Sequence, residues 1–173
     1  MNSLDLILAA EDILVQGLAL LADIGESTYM TTAPAPYNAS IGQHYRHVLD
    51  HFLCFTTGME ALEIDYDHRA RNPRLETDLN YARSITEDLI AILHGYGSDL
   101  LTEPCTVRYT VGYSASTPAS LRSVVGRELA FCTGHAVHHY AIIRLLCDSV
   151  GVGVLPEFGV APSTLKHRAE VSG

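Results

Sequence analysis

The chain has 173 residues, 20 of them acidic and 11 basic, giving a formal net charge of −9 with 47% apolar and 18% charged side chains. That length suits one domain over 1–173, and the composition lies far from the polar, highly charged regime that prevents core formation. The surplus of acid argues against a surface built to neutralise phosphates, so no nucleic-acid partner is expected.

The N-terminal stretch MNSLDLILAAED has no basic segment ahead of its apolar residues and carries Asp5, Glu11 and Asp12, so no secretion signal is read there. No apolar run reaches membrane length, and the expectation is a cytoplasmic protein without a membrane partner. Four cysteines at 54, 105, 132 and 147 never approach CxxC spacing and read as free, mostly buried thiols.

In chain order, Ser3 is placed to cap a first helix whose apolar positions Leu4, Ile7, Leu8, Leu14, Leu18 and Leu21 share a face, ending near Gly25. A loop with Pro34 and Pro36 leads to Ser40 and Gln43, which have capping-box spacing. A second helix is therefore predicted from Ile41, with Tyr45, Val48, Phe52, Phe55 and Met59 inward, fading around Leu62. The following stretch IDYDHRARNPRLETD reads as polar loop, too charged for core. Leu79, Ala82, Thr86, Leu89 and Leu93 mark a third helix, closed by Gly95.

Between Leu101 and Ala119 the alternation around Thr106 to Val111 is strand-like and predicts a small hairpin or extended excursion. Ser120 or Ser123 would then cap a long fourth helix running to about Val150, where Gly151 and Gly153 end it. The tail EFGVAPSTLKHRAEVSG predicts one short helix capped by Ser163. Four long helices with one strand-like patch give an all-α class, a four-helix bundle with a hairpin excursion before the last long helix.

Histidine is the compositional anomaly, nine in all with six in two clusters. In the fourth helix, His135 and His139 are one turn apart on one face, so both rings can reach one ion, whereas His138 cannot share it comfortably with its neighbour His139. The second helix carries His44, His47 and His51 on one side. If these helices are neighbours, one imidazole from the second and two from the fourth can meet around zinc, nickel or iron with a position left open. His68, His94 and His167 stand alone and read as packing or solvated residues.

Several sharper chemistries are excluded. HExxH needs Glu where Ala136 stands, the residues three before the clustered histidines offer no Glu-x-x-His pair, and GVGVLPEFG lacks the Lys-Ser or Lys-Thr of a phosphate loop.

The segments SIGQHYRHVLDHF, GRELAFCTGHAVHH and EFGVAPST resemble the DinB/YfiT-like superfamily of metal-dependent proteins. The resemblance implies a four-helix bundle, often a homodimer, with a divalent metal held by three histidines. It places the ligands on His47, His135 and His139, although on a helical wheel His44 and His51 sit nearer the apolar centre, which keeps His51 as the geometric alternative. Asp50 and Glu128 are then candidates to orient a ligand imidazole.

The function expected is that of a metal-dependent enzyme on a small-molecule substrate. It would be either a hydrolase activating water or a thiol-dependent transferase. No general base stands out among His44, His51, His138, Tyr45 and Tyr140. The alternative is a non-catalytic dimeric bundle with a structural metal or histidine network serving ligand or partner binding. The loop Ile64 to Arg69 is read as a substrate or partner contact, or as a solvated loop held by local ion pairs.

Overall fold

A computed structural model describes residues 3–34, 38–114 and 117–172. The elements run α1 (Ser3–Asp23), α2 (Glu26–Met30), α3 (Ile41–Gly58), β1 (Glu63–Asp65), α4 (Arg74–Thr77), α5 (Leu79–His94), a 3-10 turn (Leu100–Thr102), β2 (Pro104–Tyr109), β3 (Ala119–Val124), α6 (Val125–Ser149) and α7 (Pro162–Ser172). The structure is mostly helical with a small three-stranded sheet. The side chain of Ser3, expected as a cap, and Pro36 lie outside the described residues.

The four long helices pack in a closed circuit, with α1 against α5 and α6 and α3 against the same two. α3 starts where its capping box dictates: the Ser40 hydroxyl accepts from the Gln43 amide at 3.1 Å, and the Gln43 side chain accepts from the Ser40 amide at 3.0 Å. Two amides at the helix start that would otherwise lack partners are thereby satisfied. α5 is capped by Asp78, whose carboxylate accepts from the Tyr81 amide at 2.8 Å. Its inward face is Leu79, Ala82, Thr86, Leu89 and Leu93, the set its spacing predicts.

α1 departs from its expected face at Leu8, which is 55% exposed, while Ile7, Ala10, Ile13 and Leu14 are buried. On its buried side α1 approaches its neighbours closely at a small residue. At Gly17 an added Cβ would stand 2.3 Å from the Tyr140 hydroxyl and 2.5 Å from that of Tyr45. The rings of Tyr45 and Tyr140 lie parallel, 6.3 Å apart, and the Tyr45 hydroxyl pairs with Thr86 at 3.0 Å. Three long helices therefore meet around aromatic hydroxyls that only a glycine on α1 accommodates.

The predicted hairpin is present, but its second strand overturns the expected start of the last long helix. Residues 119–124 pair antiparallel with β2, from Ala119 opposite Tyr109 to Val124 opposite Pro104. Ser120 and Ser123 are thus strand residues, and α6 begins at Val125 with Val124 as an N-cap that makes no side-chain bond. The polar reading of 64–78 is also corrected, since Ile64, Tyr66 and Leu75 are buried. Ile64 lies in β1, which adds to the sheet parallel to β2. Leu75 lies in α4, held by Arg46, whose Nε donates to Glu76 at 2.6 Å.

Past α6, Gly151 and Gly159 take φ values of +74° and +70°. At Gly159 an added Cβ would meet the backbone of Tyr140 and Ala141 at 2.5–2.7 Å, so the tail crosses α6 in direct backbone contact. Arg144 clamps it there by donating to the carbonyls of Pro156 and Phe158 at 2.9 and 3.1 Å. α7 begins at Pro162, so Ser163 sits within its first turn and is not its cap.

Substituting Gly17→Ala gains helix propensity yet drives a methyl group into two tyrosine hydroxyls. The expected net loss is about 1–3 kcal/mol by denaturant titration, the cost of overpacking a filled core. Gly153→Ala, with open space at its Cβ, should change stability by less than about 0.5 kcal/mol.

Candidate metal centre

α3 and α6 pack directly against each other, and their histidine clusters face across the contact. His47, His135 and His139 each offer a ring nitrogen, and these three atoms all lie within 4.8 Å of one another. Among the described residues no other group of three His, Cys, Asp or Glu side chains meets that condition. The ring centroids are 4.5 Å apart for His47–His139 and His135–His139, and 5.0 Å for His47–His135. Nε2 of His47 and Nε2 of His135 are separated by 3.0 Å. Two nitrogens bound to one tetrahedral zinc at ~2.0–2.1 Å stand about 3.3 Å apart, so the spacing fits a shared ion.

The electrostatics favour neutral rings. Burial pushes the His47 and His135 imidazoles down to about 3, helped in both by the charge each would feel from His51 and His139. His139 falls to about 4, through burial first and then His44 and His138. Imidazoles that remain unprotonated at neutral pH keep a lone pair available, as metal binding requires.

Neighbouring rings bear on which nitrogen that is, through the tautomer they pair with. Nδ1 of His139 lies 3.0 Å from Nδ1 of His44. A proton on His139 Nδ1, donated to His44, leaves His139 Nε2 as the donor atom for an ion. His51 is buried and its Nδ1 lies 2.9 Å from the His47 carbonyl. A carbonyl only accepts, so His51 carries its proton on Nδ1 and its lone pair on Nε2. His51 stands outside the three-nitrogen group while its ring lies 4.0 Å from that of His135. His138 is exposed on α6, as expected of the one histidine of that cluster that turns away.

Two sequence expectations about the surroundings fail. Tyr45 and Tyr140 are fully buried around Gly17, with the Tyr45 hydroxyl on Thr86, so they belong to the core. Neither Asp50 nor Glu128 hydrogen-bonds to a ligand imidazole. Asp50 pairs with Arg46 at 3.2 Å. Glu128, buried at the start of α6, accepts from Ser123 at 2.5 Å, from Arg127 at 2.8 Å and from the Tyr66 hydroxyl at 3.1 Å.

That carboxylate anchors what the sequence did not reveal. Tyr66, just beyond β1, stacks on His51 with centroids 5.6 Å apart, and Phe131 packs against both Tyr66 and His135. Together with Arg69, Tyr109 and Arg127 they line a cleft of about 280 Å³ that includes His51. A three-residue strand shows too little alternation to be recognised, and the pairing that places Tyr66 here is with residues more than forty positions away. All four cysteines are free, and only Cys54 is not fully buried.

Residues 17–143, which carry both histidine clusters, match the DinB superfamily. The chain belongs to the DinB superfamily. Its members often bind metal, and the three-histidine group lies within the matched span. Over 104 residues the chain is also 36% identical to FK506-binding protein 5 of Rhizopus delemar, a match covering 60% of this chain and 27% of that protein. The chain thus spans about a quarter of the length of that relative. No solved structure matches it. Among the described residues no helix is long and apolar enough to cross a membrane.

Two outcomes follow for this DinB-superfamily chain. In metal-free protein, the unfolded chain takes up protons at the ordinary histidine value of 6.5, the folded chain only near 3 to 4. This stabilising contribution is complete above 6.5 and is lost as pH falls toward the folded values. Thermal midpoints of chelator-treated protein should therefore drop on acidification below about pH 6.5, and less steeply in a His47→Gln/His135→Gln variant. Separately, His44→Ala removes the partner of His139 Nδ1 and should weaken zinc affinity by about 10–100-fold in competition titrations, whereas His138→Ala should not.

Proposed function

We propose that the chain is a metal-dependent enzyme acting on a small molecule, with His47, His135 and His139 holding a divalent ion, zinc, nickel or iron. The observation that carries this reading is the convergence of three neutral imidazole nitrogens within 4.8 Å beside a cleft, with no fourth His, Cys, Asp or Glu of the described residues joining the group. Three protein ligands with an open position characterise catalytic sites, four characterise structural ones. When bound, such an ion supplies Lewis acidity toward a substrate oxygen or lowers the pKa of a water or thiol.

The chain's own residues do the rest. His44 fixes the ring of His139 through their paired Nδ1 atoms. His51, protonated on Nδ1, lines the cleft with a neutral imidazole and is the best-placed group to accept a proton there. Tyr66 and Phe131 wall the cleft, and Phe131 stacks on His135. The reactions that suit these groups are hydrolysis and thiol-dependent transfer. We take the circuit of long helices as a single four-helix-bundle domain in a cytoplasmic protein, homodimeric as the superfamily resemblance implies.

Metal content by mass spectrometry on untagged protein tests the reading. About one zinc, nickel or iron per chain is expected in wild type, and little in His47→Ala or His135→Ala. A wild type that neither contains metal nor takes up added metal would overturn it, leaving the histidines as a packing network.

A further inference from the structure

The cleft beside the three-histidine group has a charge arrangement that selects its ligand. The protein as a whole is acidic, at −9. Even so, no carboxylate hydrogen-bonds or ion-pairs with His47, His51, His135 or His139 among the described residues. The charged group that acts on both His47 and His51 is the guanidinium of Arg69. Arg69 is half-buried in the loop after β1, lines the cleft, and forms no ion pair among the described residues. A second guanidinium, Arg127, lines the same cleft over the face of Phe131, 5.6 Å from the ring centroid.

Two acids also line the cleft, Glu128 paired with Arg127 and Asp67 hydrogen-bonded to a hydroxyl. Asp67 Oδ2 accepts from the Thr110 hydroxyl at 2.7 Å. Both oxygens of Glu128 are taken, by Ser123 and Arg127 on one side and Tyr66 on the other. What remains unengaged is the donor capacity of Arg69, next to imidazoles that would add no negative charge to offset a bound cation. The Arg69 charge is felt by the buried Asp50, yet no ion pair or hydrogen bond ties down its guanidinium among the described residues, so its donors stay open to a carboxylate from outside.

We propose that this cleft is a carboxylate subsite, in which Arg69 receives the carboxylate of a small organic acid whose apolar body lies against Phe131 and Tyr66. Arginine is suited to this because its planar fork offers two parallel donors to a carboxylate. Naming the acid as the substrate rests on the metal-dependent reading above. The subsite itself does not, because every group that forms it is present without an ion.

Benzoate, benzamide and benzylamine are therefore titrated into chelator-treated protein by amide-detected NMR, with zinc uptake measured separately on the same preparations. Benzoate should bind at least tenfold more tightly than either other probe and should shift amides around Arg69, Thr110 and Phe131. Arg69→Gln should lose at least tenfold in benzoate affinity with zinc uptake unchanged, and Arg69→Lys should retain part of it. Equal binding of benzoate and benzamide would overturn the proposal, as would preferred binding of benzylamine or an Arg69→Gln variant that binds benzoate like wild type. Benzoate binding of the expected pattern in a protein that takes up no zinc would support the subsite while refuting the metal reading.

Discussion

The structure turns on one contact, the packing of α3 against α6 that sets three imidazole nitrogens within reach of a common point. Each ring is held neutral mainly by burial, and each would be disfavoured further if its neighbours became charged. A cluster that resists protonation while directing lone pairs inward has two ways to satisfy itself. It can share protons in a hydrogen-bonded network, as the 3.0 Å approach of His47 and His135 allows, or it can share a cation. The second is the stronger for a donor set of this kind, because one ion satisfies all three nitrogens at once.

That contact needs the helices to hold their spacing, and much of the remaining fold serves it. The buried tyrosines of α3 and α6 stack beside Gly17 of α1, while Phe158 stacks on Tyr140 at 4.7 Å and brings the tail across the far side of α6. α4 fixes the beginning of α3, with Arg46 bridging Glu76 and Asp50. The sheet packs against both helices, β1 on α3 and β3 on α6. β1 delivers Tyr66 onto His51, and the Glu128 carboxylate ties Tyr66 and the end of β3 to the first turn of α6. Each of these links is a local, satisfied interaction, and together they place a cleft beside the histidines.

The helical part of this arrangement was legible because its signals are local. Ser40 and Gln43 announce α3, the spacing of Leu79 through Leu93 announces α5, and HxxxH announces two rings on one face of α6. The sheet was hidden because its signals are not. Three residues of β1 lie among charges, and Ser120 and Ser123 look like helix caps until their pairing with β2 is known. The wheel favoured His44 and His51 over His47 for a similar reason. Burial at the centre of an apolar face takes His51 into contact with Tyr66 and the His47 carbonyl, whereas a position on the flank leaves His47 facing the other two rings. Arg69 and Arg127 carried no signal as a pair until the fold brought them to one cleft.

The most direct test of the central claim is the zinc-edge X-ray absorption spectrum of the zinc-loaded protein. Three imidazole nitrogens at ~2.0–2.1 Å with one further oxygen that is not from imidazole are predicted, and an added anion such as azide should replace that oxygen. A shell of four imidazoles, drawing in His51 or His44, would make the site closed and structural, and a shell containing sulfur would place the ion elsewhere altogether. Either result would contradict the account.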